Sequence, residues 1–220
     1  LKMLAARNTK ITDSALSGEI NLTTLDISGT EVTDNRLIEL VHLKHLAIQN
    51  SPNLTGKCFL KLTGLKFLDL SGSPLVTRST LLGLTNLETL ILDYTSMQPA
   101  KNEPPLKLPK LTILSLRRTR ALRRGDMVHF TNLTELSLAE NEVIQGKVYL
   151  RNLSSLLNLN LSYNKVIEND DLTIFTRLEK ITLTGNTVIK SDALRNMPNL
   201  KEIVLRDGSL TDDITFVDYI

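Results

Sequence analysis

The chain has 220 residues with 26 basic and 24 acidic side chains, which leaves a formal net charge of +2. A balance this close to neutral supplies no general field to recruit nucleic acid or a membrane surface. Aromatic residues make up only 4% of the chain, so aliphatic side chains must build the core. The single cysteine, Cys58, excludes an internal disulfide. No run approaches the roughly 18 apolar residues of a transmembrane helix, and we expect no membrane insertion.

One eleven-residue pattern recurs ten times along the chain. Its clearest copy runs from Leu133 to Val143, with apolar residues at positions 1, 4, 6 and 11 and an asparagine at position 9. The alternation around positions 4 and 6 predicts a short strand. The asparagine amide is suited to bond backbone groups that a sharp turn leaves unpaired. The ten copies start at Leu1, Leu22, Leu43, Leu65, Leu87, Leu111, Leu133, Leu156, Leu178 and Leu200.

A fixed period of 20–29 residues with this spacing is typical of leucine-rich repeats, and the chain resembles that superfamily along its whole length. The resemblance implies an α/β fold, a right-handed solenoid of about ten repeats. A parallel sheet would line its concave side, and short 3₁₀ or α-helical turns its convex side. Positions 1, 4, 6 and 11 are predicted to face the core, and positions 2, 3, 5, 7 and 8 the solvent. The resemblance also implies protein binding, without naming the partner.

We expect a single leucine-rich repeat domain over residues 1–220, and a fragment of a longer protein. The chain begins at Leu1 inside a repeat, and neither end carries the polar capping repeat that a solenoid needs. The last segment, Ile214 to Ile220, is apolar. Missing targeting signals therefore say little about the compartment.

The repeats differ at position 9 and on the convex side. Repeats one to six carry Thr or Ser at position 9, whereas repeats seven to nine carry Asn. The Thr form is similar to shortened cysteine-containing repeats of ubiquitin-ligase adaptors, without their cysteine, and to repeats of protozoan and bacterial proteins. Four prolines between Gln98 and Lys110 predict an extended path in repeat five. Residues able to cap a helical turn occur at Thr12-Asp13, Thr33-Asp34, Ser191-Asp192 and Thr211-Asp212.

No pattern for catalysis is present in the sequence. Metal-ligand spacing, a glycine-rich phosphate loop and a nucleophile elbow are all missing. Cys58 and the three histidines allow a Cys–His pair on paper, but Cys58 stands where a small apolar side chain would pack. We therefore predict a non-enzymatic protein with no catalytic, cofactor or metal site.

Five arginines within eight residues are the most distinctive local feature: Arg117, Arg118, Arg120, Arg123 and Arg124. One interpretation is an anion-recognition patch for an acidic or phosphorylated protein segment, or for nucleic acid. The other is lateral pairing, because equivalent positions of neighbouring repeats lie about 4.8 Å apart. Arg117 would then pair with Asp93 and Arg118 with Glu140. The near-neutral charge and the lack of an aromatic stacking row disfavour nucleic acid.

Exposed aromatic and arginine residues anchor protein interfaces, and the concave positions of repeats four to eight carry them. The predicted partner-binding residues are Phe67, Asp69, Glu88, Asp93, Tyr94, Ile113, Arg117, Arg118, Glu135, Glu140, Asn160 and Tyr163.

The alternative is an extracellular receptor or adhesin of a microbe or parasite. Five Asn-Leu-Ser/Thr sequons fit a secreted protein, although the repeat itself generates Asn-Leu junctions. The tripeptide Arg124-Gly125-Asp126 matches an integrin-binding motif, but a match of three residues recurs by chance. A glycan on Asn160 would obstruct the predicted binding face. This slightly favours a cytoplasmic over an extracellular location.

Overall fold

The structure is a computed structural model that describes residues 1–144, 146–195 and 197–206, without the side chains of Arg124 and Lys147. The predicted turn at Thr211-Asp212 and the apolar segment from Ile214 lie outside the described residues.

Ten short strands form one sheet in which each strand pairs, in parallel, with the next strand along the chain. Their spacing follows the repeat found in the sequence. The strands are β1 (Met3–Ala5), β2 (Thr24–Asp26), β3 (His45–Ala47), β4 (Phe67–Asp69), β5 (Thr89–Ile91), β6 (Ile113–Ser115), β7 (Glu135–Ser137), β8 (Asn158–Asn160), β9 (Lys180–Thr182) and β10 (Glu202–Val204). This is the α/β leucine-rich repeat arrangement that the sequence predicts.

Position 4 forms an uninterrupted column through the sheet. Leu68 pairs with Leu90, and Leu90 with Leu114. Every position-4 residue from Leu25 to Ile181 is buried, which confirms the predicted register. Because each repeat stacks on its neighbours, the position-4 side chains form a column that runs through one continuous core.

The prediction that position 11 enters the core is wrong for half of the array. In repeats seven to nine, position 12 supplies the buried side chain, as with Ile144, whereas Val143 is only half-buried. Repeat four does the same with Val76, and its position-11 residue, Leu75, is 51% exposed. The turn after position 9 thus places the next apolar residue one position later than the aligned pattern suggested. Position 7 also differs, since Ala139 is buried.

The position-9 asparagines bond backbone groups of the turn, as predicted, and also join neighbouring repeats. The Asn164 amide donates to the backbone oxygens of Leu138 and Asn141, and its carbonyl oxygen accepts from the N–H groups of Val166 and Ile167. Asn141 and Asn186 make the same four bonds. A hydroxyl at this position makes fewer bonds: Thr30 donates to the oxygen of Ile27 at 2.7 Å.

The residue at position 8, just past the end of each strand, adopts the left-handed backbone region. Its φ angle lies between 50° and 68° in all nine repeats that the structure describes there. Glycine adopts this region freely and asparagine with little strain. The glycines also make room, because a Cβ on Gly29 would collide with the side chain of Asn8, and one on Gly72 with that of Asn50. The side chain of one repeat therefore lies over the glycine of the next.

The convex side consists of single helical turns. The α-helical turns are Asp34–Leu37, Arg124–Met127, Lys147–Leu150 and Ser191–Arg195, and the 3₁₀ turns are Asp13–Leu16, Lys57–Leu60, Arg78–Leu81 and Asn169–Ile174. The described residues of repeat five contain no helical turn between its strand and β6. This confirms that the prolines, which lack the N–H group that a helix requires, exclude a helical turn. The segment is not extended throughout, because the Glu103 N–H donates to the oxygen of Ala100 at 3.0 Å across a turn.

The prediction that the convex Thr-Asp pairs cap helical turns is confirmed for Thr33 and wrong for Thr12. The Thr33 hydroxyl caps its own turn by accepting from the N–H of Asn35 at 3.3 Å, but Thr12 makes no such bond. The aspartates reach across to the next repeat instead. Asp13 accepts from the backbone N–H and the hydroxyl of Thr33, both at 2.7 Å. Asp34 does the same for Thr55 and also accepts from the N–H of Cys58.

Replacing Leu136 with alanine should lower the free energy of unfolding by about 2–5 kcal/mol, because the change empties one place in the buried column. Chemical denaturation measures this. The matched control is Leu60→Ala, which removes the same atoms from a convex side chain that is 65% exposed and should change stability by less than about 0.5 kcal/mol. Equal effects of the two substitutions would contradict the register.

Asp34 should make stability depend on pH in the acidic range. Burial alone would raise the pKa of Asp34, but the hydrogen bonds from Cys58 and Thr55 outweigh it and lower the pKa below its usual value. A lowered folded-state pKa means that this stabilisation is present above the unfolded-state pKa and is lost as pH falls through the folded-state value. Unfolding of wild type and Asp34→Asn should therefore differ at neutral pH and converge in acid. A constant difference across the titration would refute the role of the carboxylate.

Candidate functional site

Most of the predicted site residues lie on the solvent side of the sheet or just past the carboxyl ends of its strands. Phe67, Ile113 and Glu135 stand at position 3 on the solvent side of the sheet, which we call the sheet face. Tyr94, Arg118, Glu140 and Tyr163 stand at position 8, just past the ends of the strands. We call these four residues the position-8 row. It lies along the edge where the carboxyl ends of parallel strands meet.

The position-8 row is held in a backbone conformation that large side chains rarely adopt. The φ angles are 57° for Tyr94, 51° for Arg118 and Glu140, and 53° for Tyr163. Each non-glycine residue in this region carries a strain of about 1 kcal/mol. Backbone bonds to the following repeat hold the conformation, from Glu140 to Ser162 at 2.9 Å and from Tyr163 to Thr184 at 2.8 Å. The sequence pattern does not reveal this strain.

Arg117 links two members of the row. Its guanidinium donates to Glu140 Oε1 through Nε at 2.9 Å and through Nη2 at 2.5 Å. It also lies over the ring of Tyr94, 5.3 Å from the centroid, in a cation–π arrangement. The hydrogen bond with Glu140 raises the pKa of Arg117. Arg117 is thus fixed between an aromatic ring and a carboxylate.

The predicted pairing of Arg117 with Asp93 is wrong. Asp93 accepts from the backbone N–H of Arg117 at 2.9 Å and from the hydroxyl of Ser115 at 2.6 Å, so the carboxylate holds a turn and leaves the guanidinium to Glu140. The predicted neighbour of Arg118 is correct, because Arg118 lies 3.7 Å from Glu140. That contact is loose, and the Arg118 side chain is 70% exposed.

Three other predicted residues are held by neighbours on the sheet face. Asp69 was expected to be exposed but is buried, because it accepts from the backbone and hydroxyl of Ser71. The Asn160 carbonyl oxygen accepts the same two groups from Ser162. Glu88 pairs with Lys66 at 2.7 Å, and this hydrogen bond lowers the pKa of Glu88. Asp69 is therefore removed from the contact surface.

Two grooves are lined by predicted contact residues. A groove of about 300 Å³ on the sheet face is lined by residues of β6 to β9, among them Ile113, Glu135 and Asn160. A second groove of about 570 Å³ lies at the carboxyl edge. We call it the flank cleft. It is lined by Arg118, Thr119, Arg120, Glu140, Glu142, Val143, Tyr163 and Lys165.

Sequence reasoning missed Glu142 and Lys165, and placed Arg120 only within the arginine cluster. All three stand at position 10 of consecutive repeats. Their common register was visible in the sequence. What could not be read from it is that the left-handed turn at position 8 brings position 10 to the same edge.

Arg123 serves the convex side. Arg123 donates to the backbone oxygens of Ala100 and Lys101 in the proline-rich segment. Asp126 is fully buried and accepts from the N–H groups of Leu106 and Arg123. The tripeptide that ends at Asp126 therefore does not present its carboxylate to solvent. The four arginines of the cluster whose side chains are described therefore do not form one patch: Arg117, Arg118 and Arg120 lie at the carboxyl edge and Arg123 on the convex side.

Arg78, a residue outside the arginine cluster, holds the proline-rich segment through buried contacts. Its side chain is 1% exposed and pairs with Asp126 and Glu103, and it donates to the oxygen of Pro104 at 2.8 Å. Since a helical turn is impossible among these prolines, the ion pairs hold the returning chain in its place. Arg78 thus connects repeats four, five and six.

Groups with chemical reactivity are inert or scattered in the described part of the chain. Cys58 is buried, and burial, together with the nearby Asp34 carboxylate, raises the pKa of its thiol. A protonated thiol is a poor nucleophile. Among the described residues, no cluster of three or more His, Cys, Asp or Glu is arranged to hold a metal ion. None of the described helices is long and apolar enough to cross a membrane.

Several solved structures share the fold. Internalin C2 from Listeria monocytogenes is 27% identical, with a TM-score of 0.69 over 93% of this chain and 80% of that chain. A leucine-rich repeat protein from Leptospira interrogans is 24% identical, with a TM-score of 0.66 over 85% of this chain and 50% of that one. TLR13, in complex with ssRNA13, is 21% identical, with a TM-score of 0.73 over 98% of this chain and 37% of that one.

No family model matches the sequence, and no curated protein matches it either. The repeat register, the ten-stranded parallel sheet and the neighbouring structures agree with one another. The chain belongs to the leucine-rich repeat superfamily.

Replacing Arg78 with methionine should destabilise the protein by about 3–5 kcal/mol, because Asp126 and Glu103 would lose their buried counter-ion. Thermal or chemical unfolding measures the loss. Arg7→Met, at an exposed arginine, is the control and should change stability by less than about 0.5 kcal/mol. A variant as stable as wild type would show that the ion pairs do not hold the segment.

Proposed function

We propose that the chain, as one leucine-rich repeat domain over residues 1–220, is a non-enzymatic module that binds a protein partner. The partner contacts the sheet face and the carboxyl edge of repeats four to eight. The contact residues are Phe67, Glu88, Asp93, Tyr94, Ile113, Arg117, Arg118, Glu135, Glu140, Asn160 and Tyr163.

The position-8 row is the observation that carries this proposal. In the other described repeats the same position is Gly or Asn, which adopt the left-handed region with little strain. Repeats five to eight keep Tyr, Arg, Glu and Tyr there instead. Strain that persists in a structure is concentrated at functional sites. Residues that lower the stability of the fold are expected where their side chains have a function that glycine cannot provide.

The chemistry of the row suits a protein interface. Tyr94 is 47% exposed and Tyr163 is 42% exposed. Tyrosine and arginine supply a large share of binding energy in protein complexes. Arg117 is already fixed between Tyr94 and Glu140, so less conformational freedom is lost when a partner binds.

The second candidate is an extracellular receptor or adhesin of a microbe or parasite. The likeness to internalin C2, at 27% identity, is the observation that favours it. Glycan mass on Asn132 or Asn160 in protein from its natural source would support an extracellular location. Binding to a random oligonucleotide with steep salt dependence would instead indicate a nucleic-acid partner.

The double substitution Tyr94→Gly and Arg118→Gly should weaken partner binding by about tenfold or more. It should leave the melting temperature unchanged or higher, because glycine relieves the left-handed strain. Peptides selected on the wild-type protein from a random display library serve as probes. Their affinities for both proteins are measured by fluorescence anisotropy.

Asn50→Gly is the matched control, since it makes the same kind of change at position 8 of repeat three, outside the footprint. It should leave peptide affinity unchanged. The proposal is wrong if the double variant binds the selected peptides as the control does. A melting temperature that falls as far as that of Leu136→Ala would show that the row is structural.

A further inference from the structure

The flank cleft contains more positive charge than its own carboxylates neutralise. Three cations line it, Arg118, Arg120 and Lys165, together with the carboxylates of Glu140 and Glu142. Glu140 is engaged by Arg117, which approaches from outside the cleft. With Arg117 included, four cations face two carboxylates, and the formal charge of the region is +2.

Position 10 carries the unpaired part of this charge. No ion pair within 4 Å joins Arg120, Glu142 or Lys165 to any described residue, whereas Arg117 and Arg118 both contact Glu140. Arg120 is on repeat six, Glu142 on repeat seven and Lys165 on repeat eight. Two cations therefore stand at the ends of the cleft with one carboxylate between them.

The turns that bear these side chains are rigid. Asn141, next to Glu142, bonds four backbone groups, and Asn164, next to Lys165, does the same. The Thr119 hydroxyl, next to Arg120, donates to the oxygen of Thr95 at 3.2 Å. The array thus fixes the backbone positions of Arg120 and Lys165, and a ligand has to order only their exposed side chains. A backbone that is already ordered reduces the entropy lost on binding.

We propose that the flank cleft binds an acidic segment of the partner protein that presents two carboxylates, one to Arg120 and one to Lys165. This rests on the proposed function and adds the chemistry of the partner. Repeats lie about 4.8 Å apart, so the two cations are separated by about 10 Å. A polyproline II segment has three residues per turn and advances about 3.1 Å per residue. Two acidic residues three positions apart therefore lie on the same side of such a segment, about 9 Å apart, and match that distance.

The charge pattern favours carboxylates over a phosphoryl group. Glu142 lies between the two cations, so two separated single charges meet less repulsion than one double charge near the centre. A lysine between the two acidic residues would face Glu142 and add an attraction. Tyr163 and Val143 offer the segment an apolar surface at the same groove.

The test uses fluorescein-labelled peptides with two glutamates at increasing separation, with a lysine between them. Binding is measured by anisotropy at low ionic strength, because screening weakens exposed charges. We expect the affinity to be highest at a separation of three positions. The same peptide with glutamines, and one with a single phosphoserine in place of the glutamates, should each bind about tenfold more weakly.

Three variants locate the site. Arg120→Gln and Lys165→Gln should each weaken binding of the best peptide by about fivefold, and Glu142→Gln should strengthen binding by a similar factor. Lys61→Gln, which removes an exposed charge on the convex side of repeat three, is the matched control and should have no effect. None of these positions belongs to the contact residues of the proposed function.

The inference fails if no peptide of the series binds, if the phosphoserine peptide binds best, or if Arg120→Gln and Lys165→Gln behave like Lys61→Gln. In each case, if the Tyr94→Gly and Arg118→Gly double variant loses binding to the display-selected peptides, this would still support the proposed function. If that double variant also binds as the control does, both proposals are wrong.

Discussion

Each strand of three residues can satisfy its backbone groups and bury its leucine only through the strands of neighbouring repeats, and the rest of the structure depends on this constraint. No repeat has a core of its own. Two features reflect this dependence of each repeat on its neighbours. One is the column from Leu25 to Ile181, and the other is the set of asparagine bonds at Asn141, Asn164 and Asn186. The convex aspartates add a third, since Asp13 and Asp34 bond the backbone of the repeat that follows.

The left-handed turn at position 8 connects the scaffold to the candidate site. The turn is needed in every repeat to end the strand, whatever residue stands there. Where the residue is Gly72 or Gly185, the turn carries no side chain. Where it is Arg118 or Glu140, the same turn also directs a charged side chain to the edge of the sheet. The array can therefore place recognition residues at fixed spacing without altering its core, at the expense of local strain.

Repeat five shows how the array tolerates an irregular return path. Its prolines exclude a helical turn, yet Leu90 and Leu114 remain paired across it. The buried ion pairs of Arg78 with Asp126 and Glu103 hold the segment on the convex side. On the other side of the same repeats, Arg117 stacks on Tyr94. The irregular return path therefore leaves both the strand pairing and this contact in place.

The sequence by itself determined the fold class, the start of each repeat and the buried column, because hydrophobic periodicity is a local property repeated ten times. It also determined which repeats carry aromatic and arginine residues. Only the tertiary structure decided which charges pair, since contacts between repeats depend on the exact turn geometry. Arg117 bonds Glu140 and not Asp93, Asp69 is buried, and Arg78 is an internal ion. The two ion pairs join residues that are 23 and 48 positions apart, where the pattern of a single repeat contains no information.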